Sequence, residues 1–107
     1  MEELQRRLRE FRDARDWAQF HTPKNLAISI SIEAAELLEL YQWSAESELS
    51  DEETTQRARG EIADILIYLA LMADRLGIDA LAAAHAKIRE NEKRFPVATS
   101  RGMAKPT

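Results

Sequence analysis

The sequence predicts an all-α fold, an antiparallel four-helix bundle. Apolar residues recur at helical spacing in four segments, start and stop signals flank these segments, and the connections between them are short. The chain of 107 residues is 45% hydrophobic and 32% charged, a balance typical of one globular domain. We expect that domain to span residues 1–96, followed by a mobile tail at residues 97–107.

The first two helices are predicted at residues 3–17 and 23–43. In the first helix, Leu4, Leu8 and Phe11 form an apolar stripe, and the charged remainder indicates a solvated face. Thr22 followed by Pro23 is a helix-start signal, with threonine as the N-cap and proline at the first position. Isoleucines alternate with serines early in the second helix, but its length favours a helix over a strand.

The other two helices are predicted at residues 51–76 and from residue 79 to about Phe95 and Pro96. Ser50, followed three residues later by Glu53, is a plausible capping box after the polar connection at residues 44–52. Gly77 is a usual C-terminal stop signal.

The charge is unevenly distributed along the chain. Residues 33–64 hold ten acidic and two basic side chains, whereas residues 87–107 hold six basic and two acidic ones. An acidic centre suits a cation and a basic end suits an anion. The net charge of −4 argues against a partner of duplex nucleic acid. The sequence has no cysteine and no apolar run of membrane-spanning length, so we expect a cytoplasmic protein without a membrane partner.

Two pairs of carboxylates stand at i, i+3 within apolar helical stripes. Glu33 and Glu36 form the first pair, and Glu61 and Asp64 form the second. A carboxylate on a core-like face is costly unless it is paired, protonated or bound to a metal. If the two central helices face each other, the pairs meet, and the sequence predicts a cation site between them.

Mg²⁺ suits such a site because it prefers hard oxygen ligands. A di-iron bundle would need Glu-x-x-His, but alanines stand three residues before His21 and His85. Two scattered histidines also serve zinc poorly. The alternative is that these glutamates are simply solvated helix formers, and on the residues alone the two interpretations are about equally supported.

The chain resembles the all-α nucleoside triphosphate pyrophosphohydrolases of the MazG-like superfamily. Their motif, Glu-x-x-Glu followed by a spacer and Glu-x-x-Asp, stands here at residues 33–36 and 61–64. The branch containing the dCTP pyrophosphatases is more similar still. Its landmarks are matched at residues 15–26, 40–43, 64–69 and 87–96, so the resemblance covers about residues 4–96.

The resemblance implies an Mg²⁺-dependent enzyme that cleaves a nucleoside triphosphate, dCTP or a modified dCTP among the candidates, to the monophosphate and pyrophosphate. The Mg²⁺ ligands would be Glu33, Glu36, Glu61 and Asp64. The nucleotide contacts would come from Trp17, Ala18, Gln19, Phe20, His21, Trp43 and Tyr68. Indole rings can stack on bases, although without the resemblance we would interpret these residues as packing residues.

The fourth helix carries Lys87, Asn91 and Arg94 at i, i+4, i+7. That spacing aims two cations and an amide in one direction, which suits a triphosphate. A solvated basic face is the alternative, and it applies most to Arg94.

Two positions depart from the family pattern. Many relatives carry a glutamate that can act as the general base immediately before the first motif acid, where this chain has Ile32. We therefore expect a motif carboxylate to be the base, with Glu36 first and Glu33 or Glu61 as the others. The eukaryotic dCTP-specific relatives have a histidine at the place of Leu8. The resemblance therefore gives weaker support for cytosine specificity in this chain.

The resemblance also implies a homotetramer, a dimer of dimers whose sites are shared between subunits. Apolar stripes on the central helices favour oligomerisation on physical grounds as well. Two other functions stay open from the sequence. One is a non-catalytic helical interaction module, and the other is a metal-dependent nucleotide-binding protein without turnover.

Overall fold

The computed structural model describes residues 1–43 and 49–104, and those residues form helices and turns without a strand. The four long helices are α1 (Glu2–Ala14), α2 (Pro23–Gln42), α3 (Asp51–Leu76) and α4 (Ala80–Arg94). A 3₁₀ turn at Ala18–Phe20 precedes α2, and a short helix α5 (Val97–Ser100) follows α4. The all-α class with four long helices is confirmed. Most of the predicted polar connection, residues 44–48, lies outside the described residues.

Side-chain caps fix where three of these helices begin. The Thr22 and Ser50 hydroxyls accept hydrogen bonds from the backbone N–H groups of Asn25 and Glu53, at 3.2 and 3.1 Å. The Asp79 carboxylate accepts one from the N–H of Ala82 at 3.0 Å at the start of α4. At its C-terminus α3 ends in a Schellman motif. Gly77 has a left-handed φ of 68°, and the N–H of Ile78 reaches the carbonyl of Ala73 at 2.8 Å. The predicted bounds of α3 are therefore confirmed at both ends.

The first helix is shorter than predicted. It ends at Ala14, not at residue 17, because Asp16 takes a left-handed φ of 54° and turns the chain. Aspartate tolerates this conformation better than most residues. The amide of Gln19 donates to the carbonyl oxygen of Asp16 at 3.0 Å and holds the turn. As a result, Trp17 begins a separate segment instead of continuing α1.

The central contact of the chain is the packing of α2 against α3. Small side chains dominate the buried positions of α3, where Ala58, Ala70 and Ala73 allow close approach, and Leu26 of α2 is 1% exposed. The first helix packs on α3 more lightly. Gln5 donates its side-chain amide to the Ala70 carbonyl at 3.1 Å, and Arg9 pairs with Asp74 at 2.8 Å.

The fourth helix adds little to this core. Among the described residues it has no extensive contact with another helix, and its Leu81 and Ile88 are 51% and 55% exposed. The radius of gyration is 17.4 Å, against roughly 13 Å for a compact chain of about this length. One chain therefore supplies the four helices of the predicted bundle without closing it around α4.

The tail contains a helical turn that the sequence did not predict. Residues 97–107 lack periodicity, yet α5 occupies Val97–Ser100, where the Ser100 N–H reaches the Pro96 carbonyl at 2.9 Å. The mobility of this segment stays a prediction. None of the helices over the described residues is both long and apolar enough to cross a bilayer.

Candidate active site

Three carboxylates from the two central helices meet between them. Oxygens of Glu33, Glu61 and Asp64 all lie within 4.8 Å of one another. The i, i+3 spacing places Glu61 and Asp64 on one face of α3, and the packing of α2 against that face brings Glu33 to them. The structure thus brings together three of the four acids that were predicted to meet. We call these three residues the carboxylate cluster.

Two oxygens of the cluster are buried without a hydrogen-bond partner among the described residues. They are Oε2 of Glu33 and Oε2 of Glu61. A buried acceptor left without a donor is costly and needs an explanation. A divalent cation supplies one, because Mg²⁺ and Mn²⁺ prefer hard oxygen donors of this kind. The donor set of the cluster therefore fits a bound divalent metal.

Crowding of negative charge also shifts the ionisation of the cluster. Hydrogen bonding with Glu36, then with Glu61, raises the pKa of Glu33 to about 7, with burial and the charges of Glu36 and Asp64 adding to the effect. A hydrogen bond from Glu33 lowers the pKa of Glu61, but burial and the neighbouring Glu36 and Asp64 outweigh it and raise that pKa. Without a cation, the cluster therefore retains a shared proton near neutral pH.

The fourth motif acid, Glu36, lies at the edge of the cluster. It is one turn beyond Glu33 on α2, its side chain is exposed, and its carboxyl group helps to raise the pKa of Glu33. It also lines the cavity that opens beside Glu61. Glu36 is thus close to the cluster without being one of its three converging carboxylates.

An aromatic cavity of about 360 Å³ opens on one side of the cluster. Trp17, His21 and Tyr68 line it together with Asp64 of the cluster. The Trp17 ring meets Phe11 edge to face at a centroid distance of 5.7 Å, which orients the indole. Three of the predicted nucleotide contacts therefore share one space next to a motif acid.

His21 carries another unpartnered polar atom. Its Nδ1 is buried and has no hydrogen-bond partner among the described residues. Burial lowers the pKa of His21, and the nearby charge of Arg12 lowers it further. The imidazole is therefore neutral at pH 7 and has a nitrogen available for a ligand.

The 3₁₀ turn between Trp17 and His21 plays a different part. Ala18, Gln19 and Phe20 are exposed and stand outside the lining of the aromatic cavity. The Phe20 carbonyl accepts a hydrogen bond from the Asn25 side chain at 3.0 Å, which ties the turn to α2. These three residues therefore hold Trp17 and His21 in place, and their predicted contact with a nucleotide stays a prediction.

A second, larger cavity of about 740 Å³ borders the cluster at Glu61. Glu36 and Glu61 line it with Trp43, which is 66% exposed at the end of α2. The same wall holds Arg57, which the sequence analysis missed. Its position four residues before Glu61 places both on one face of α3, and this spacing was the available signal. We call this space the arginine cavity.

The structure does not bring the basic residues of α4 to the cluster within one chain. Lys87 approaches Glu90 at 3.5 Å, and Arg94 stacks on Phe95 at 5.1 Å from the ring centroid. Asn91 and Arg94 line a separate cavity against the C-terminal segment. Their predicted contact with a triphosphate stays a prediction.

Comparisons with known proteins agree with the motifs. A family model described as the MazG-like family matches residues 28–106. dCTP pyrophosphatase 1 from Bos taurus is 40% identical over 108 residues, covering 97% of this chain and 64% of that protein. The protein of the same name from Homo sapiens is 35% identical over 109 residues, covering 98% of this chain and 64% of its own length. The chain thus spans less than two thirds of these curated relatives.

A solved structure is similar over nearly its whole length. It is described as a pyrophosphatase from Archaeoglobus fulgidus and is 49% identical in sequence, with a TM-score of 0.78. The match covers 90% of this chain and 92% of that one.

Proposed function

Because the chain belongs to the MazG-like family, we propose that it is an Mg²⁺-dependent nucleoside triphosphate pyrophosphohydrolase. It would convert a nucleoside triphosphate to the monophosphate and pyrophosphate by attack of water on the α-phosphorus. The family expected from the motifs is confirmed by the match over residues 28–106. The observation that carries the proposal is the carboxylate cluster with its two unpartnered oxygens, bordered by the aromatic cavity and the arginine cavity.

The cluster residues Glu33, Glu61 and Asp64 would hold the metal. Mg²⁺ bound there would neutralise phosphate charge and lower the pKa of a water molecule. Glu36 is our candidate for the general base, because it lies beside the cluster yet outside its three converging carboxylates. Ile32 at the preceding position has no group that could accept a proton.

The two cavities suggest how a substrate would lie. The aromatic cavity suits a base, because Trp17 and Tyr68 offer ring faces for stacking. The arginine cavity suits the outgoing pyrophosphate, because Arg57 places a cation beside the otherwise acidic wall. The α-phosphate would then lie at the cluster between them. The names of the mammalian relatives support dCTP or a modified dCTP as the substrate to test first.

We also propose that the working form is a homotetramer arranged as a dimer of dimers. The exposed apolar side chains of α4 and the loose packing of that helix support oligomerisation. In such an assembly Trp43, Lys87, Asn91 and Arg94 would be free to serve a neighbour's site. Size-exclusion chromatography with light scattering would measure the mass, and a monomer at micromolar concentration would contradict the proposal.

Pyrophosphate release is the test of the proposed activity. The purified chain with Mg²⁺ would be assayed against the common and modified nucleoside triphosphates, with EDTA as the control. Hydrolysis in ¹⁸O-labelled water should place the label in the nucleoside monophosphate, because water attacks the α-phosphorus. A rise in Tm on adding nucleotide and Mg²⁺, without release of pyrophosphate, would indicate a nucleotide-binding protein. No change in Tm and no release of pyrophosphate would indicate an interaction module. Label in pyrophosphate alone would exclude attack at the α-phosphorus.

Replacing Arg57 by glutamine should lower kcat/KM about ten- to hundredfold, because a charge-assisted contact to phosphate is lost. Steady-state kinetics on the preferred nucleotide would measure the loss. Arg59→Gln is the matched control, since Arg59 is exposed on the same helix and stands outside the lining of the arginine cavity. An equal loss in both variants would mean that net charge, and not contact by Arg57, explains the effect.

A further inference from the structure

We propose that Arg12 discriminates among nucleobases and selects bases that present two hydrogen-bond acceptors side by side. This inference rests on the proposed function, since it requires a nucleotide base in the aromatic cavity. It assigns a specificity-determining role to a residue outside the family motifs described above.

Arg12 projects from α1 into the wall of the aromatic cavity. It lines that space with Trp17, His21 and Tyr68, one turn beyond Leu8. Its side chain is 20% exposed, whereas that of Arg6 on the same helix is 55% exposed. The Arg12 guanidinium is therefore partly withdrawn from water at a place where a ligand could replace the lost hydration.

The Arg12 guanidinium is hydrogen-bonded through its Nε. Its Nε donates to Oδ1 of Asp13 at 2.9 Å, and among the described residues its side chain makes no other hydrogen bond. Both terminal nitrogens are therefore available to a ligand. Arg15, three residues on, differs because it stacks on the Phe11 ring at 3.7 Å and donates to the Phe11 carbonyl at 2.9 Å.

The groups around Arg12 combine an apolar wall with side chains that can pair with hydrogen-bond acceptors. Leu4 and Leu8 give the cavity an apolar wall, which suits a base better than a phosphate. The charge of Arg12 also acts on His21 and, after burial, helps to keep that imidazole neutral. The unpartnered Nδ1 of His21 adds a second polar contact, and Arg7 lines the same cavity as a second cation.

The chemistry of a guanidinium then restricts the base. Arginine has donors and no acceptor, and its planar fork pairs with two adjacent acceptors. Cytosine offers O2 and N3, and guanine offers O6 and N7. Thymine and uracil carry N3–H between their carbonyl groups. Adenine sets its amino group beside N1 and N7, and its N3 has no second acceptor next to it. Cytosine and guanine nucleotides should therefore be preferred, and cytosine is the smaller of the two bases.

The test compares Arg12→Gln and Arg12→Lys with Arg6→Gln as the matched control. Arg6 lies on the same helix, pairs with Glu10 at 2.8 Å and stands outside the lining of the aromatic cavity. For each protein, kcat/KM would be measured for dCTP, dGTP, dATP and dTTP with Mg²⁺. Calorimetric Kd values for the four nucleoside monophosphates would be measured in parallel, because binding does not depend on turnover. Far-UV circular dichroism would check the fold.

Both Arg12 variants should lose about ten- to hundredfold for dCTP, or for dGTP if the cavity accepts a purine, because one bidentate contact is lost. The values for dATP and dTTP should change less than about threefold. The Arg12→Lys variant should lose as much activity as Arg12→Gln, because lysine keeps the positive charge but lacks the planar pair of donors.

Three results would overturn the proposal. An equal loss for all four bases, with recovery in Arg12→Lys, would mean that Arg12 binds phosphate. Unchanged base ratios in both variants would mean that it is an ordinary surface residue. Monophosphate binding that lacks a preference for cytosine or guanine in the unmodified protein would exclude base reading by the guanidinium. Absence of turnover with base-selective binding intact would instead count against the proposed hydrolysis and leave the role of Arg12 supported.

Discussion

Replacing Glu36 by glutamine is expected to reduce pyrophosphate release at least a hundredfold, and up to about 10⁴-fold, because the attacking water loses its general base. The substitution keeps the shape of the side chain and removes its ability to take a proton. Glu36 lies outside the three converging carboxylates, so Mg²⁺ binding should persist in this variant. Asp64→Asn removes a cluster carboxylate and should lose Mg²⁺ binding and activity together. Calorimetric titration with Mg²⁺ and the pyrophosphate assay separate these two outcomes.

Glu52→Gln is the control for this experiment. Glu52 is exposed on α3 and stands outside the cluster and outside the linings of the aromatic and arginine cavities. Its replacement should leave kcat within about threefold of the original value, because no proton transfer is assigned to it. Activity in Glu36→Gln close to that of the unmodified chain would remove Glu36 from the mechanism and direct attention to Glu33 and Glu61. Unchanged far-UV circular dichroism would exclude unfolding as the cause of a loss.

The helix faces that carry the carboxylate cluster could be predicted because each pair of acids lies within one helix. An i, i+3 spacing places both acids of a pair on one face of their helix. The apolar residues on the same two faces indicate that those faces pack against each other. Likewise, the bounds of α3 follow from a serine cap and a glycine stop, both of which act within a few residues. Local rules of this kind are readable from one sequence.

The remaining features depend on contacts distant in sequence. The end of α1 at Ala14 depends on the left-handed Asp16, which propensity alone does not indicate. Arg12 belongs to a run of alternating charges that reads as a solvated face, and only the return of the chain at Trp17 places it beside His21. The position of α4 is harder still to predict from the sequence, because one chain offers that helix little to pack against.

Mg²⁺ binding should weaken about a hundredfold between pH 8 and pH 5, because protons compete for the cluster. With the pKa of Glu33 raised to about 7, each pH unit below that value costs about tenfold in apparent affinity. Glu61, whose pKa is raised as well, adds to the same trend. Titration calorimetry with Mg²⁺ alone at several pH values would measure the affinity. Comparing two buffers of different ionisation enthalpy would also count protons, with about one released per Mg²⁺ at pH 6 and close to none at pH 8.5.

The same shifts predict opposite pH trends for the metal-free and the metal-bound protein. The pKa of Glu33 in the folded chain lies above its ordinary value of 4.5. Its protonation therefore favours folding below about pH 4.5, and this contribution is lost as pH rises through 7. In EDTA, Tm should fall from pH 5 to pH 8, whereas in millimolar Mg²⁺ it should hold or rise, because ionised carboxylates bind the metal. Glu52→Gln should keep both trends, and Glu33→Gln should flatten the trend in EDTA. Parallel Tm curves with and without Mg²⁺ would contradict metal binding at the cluster, because ligand linkage requires the two curves to separate as the carboxylates ionise.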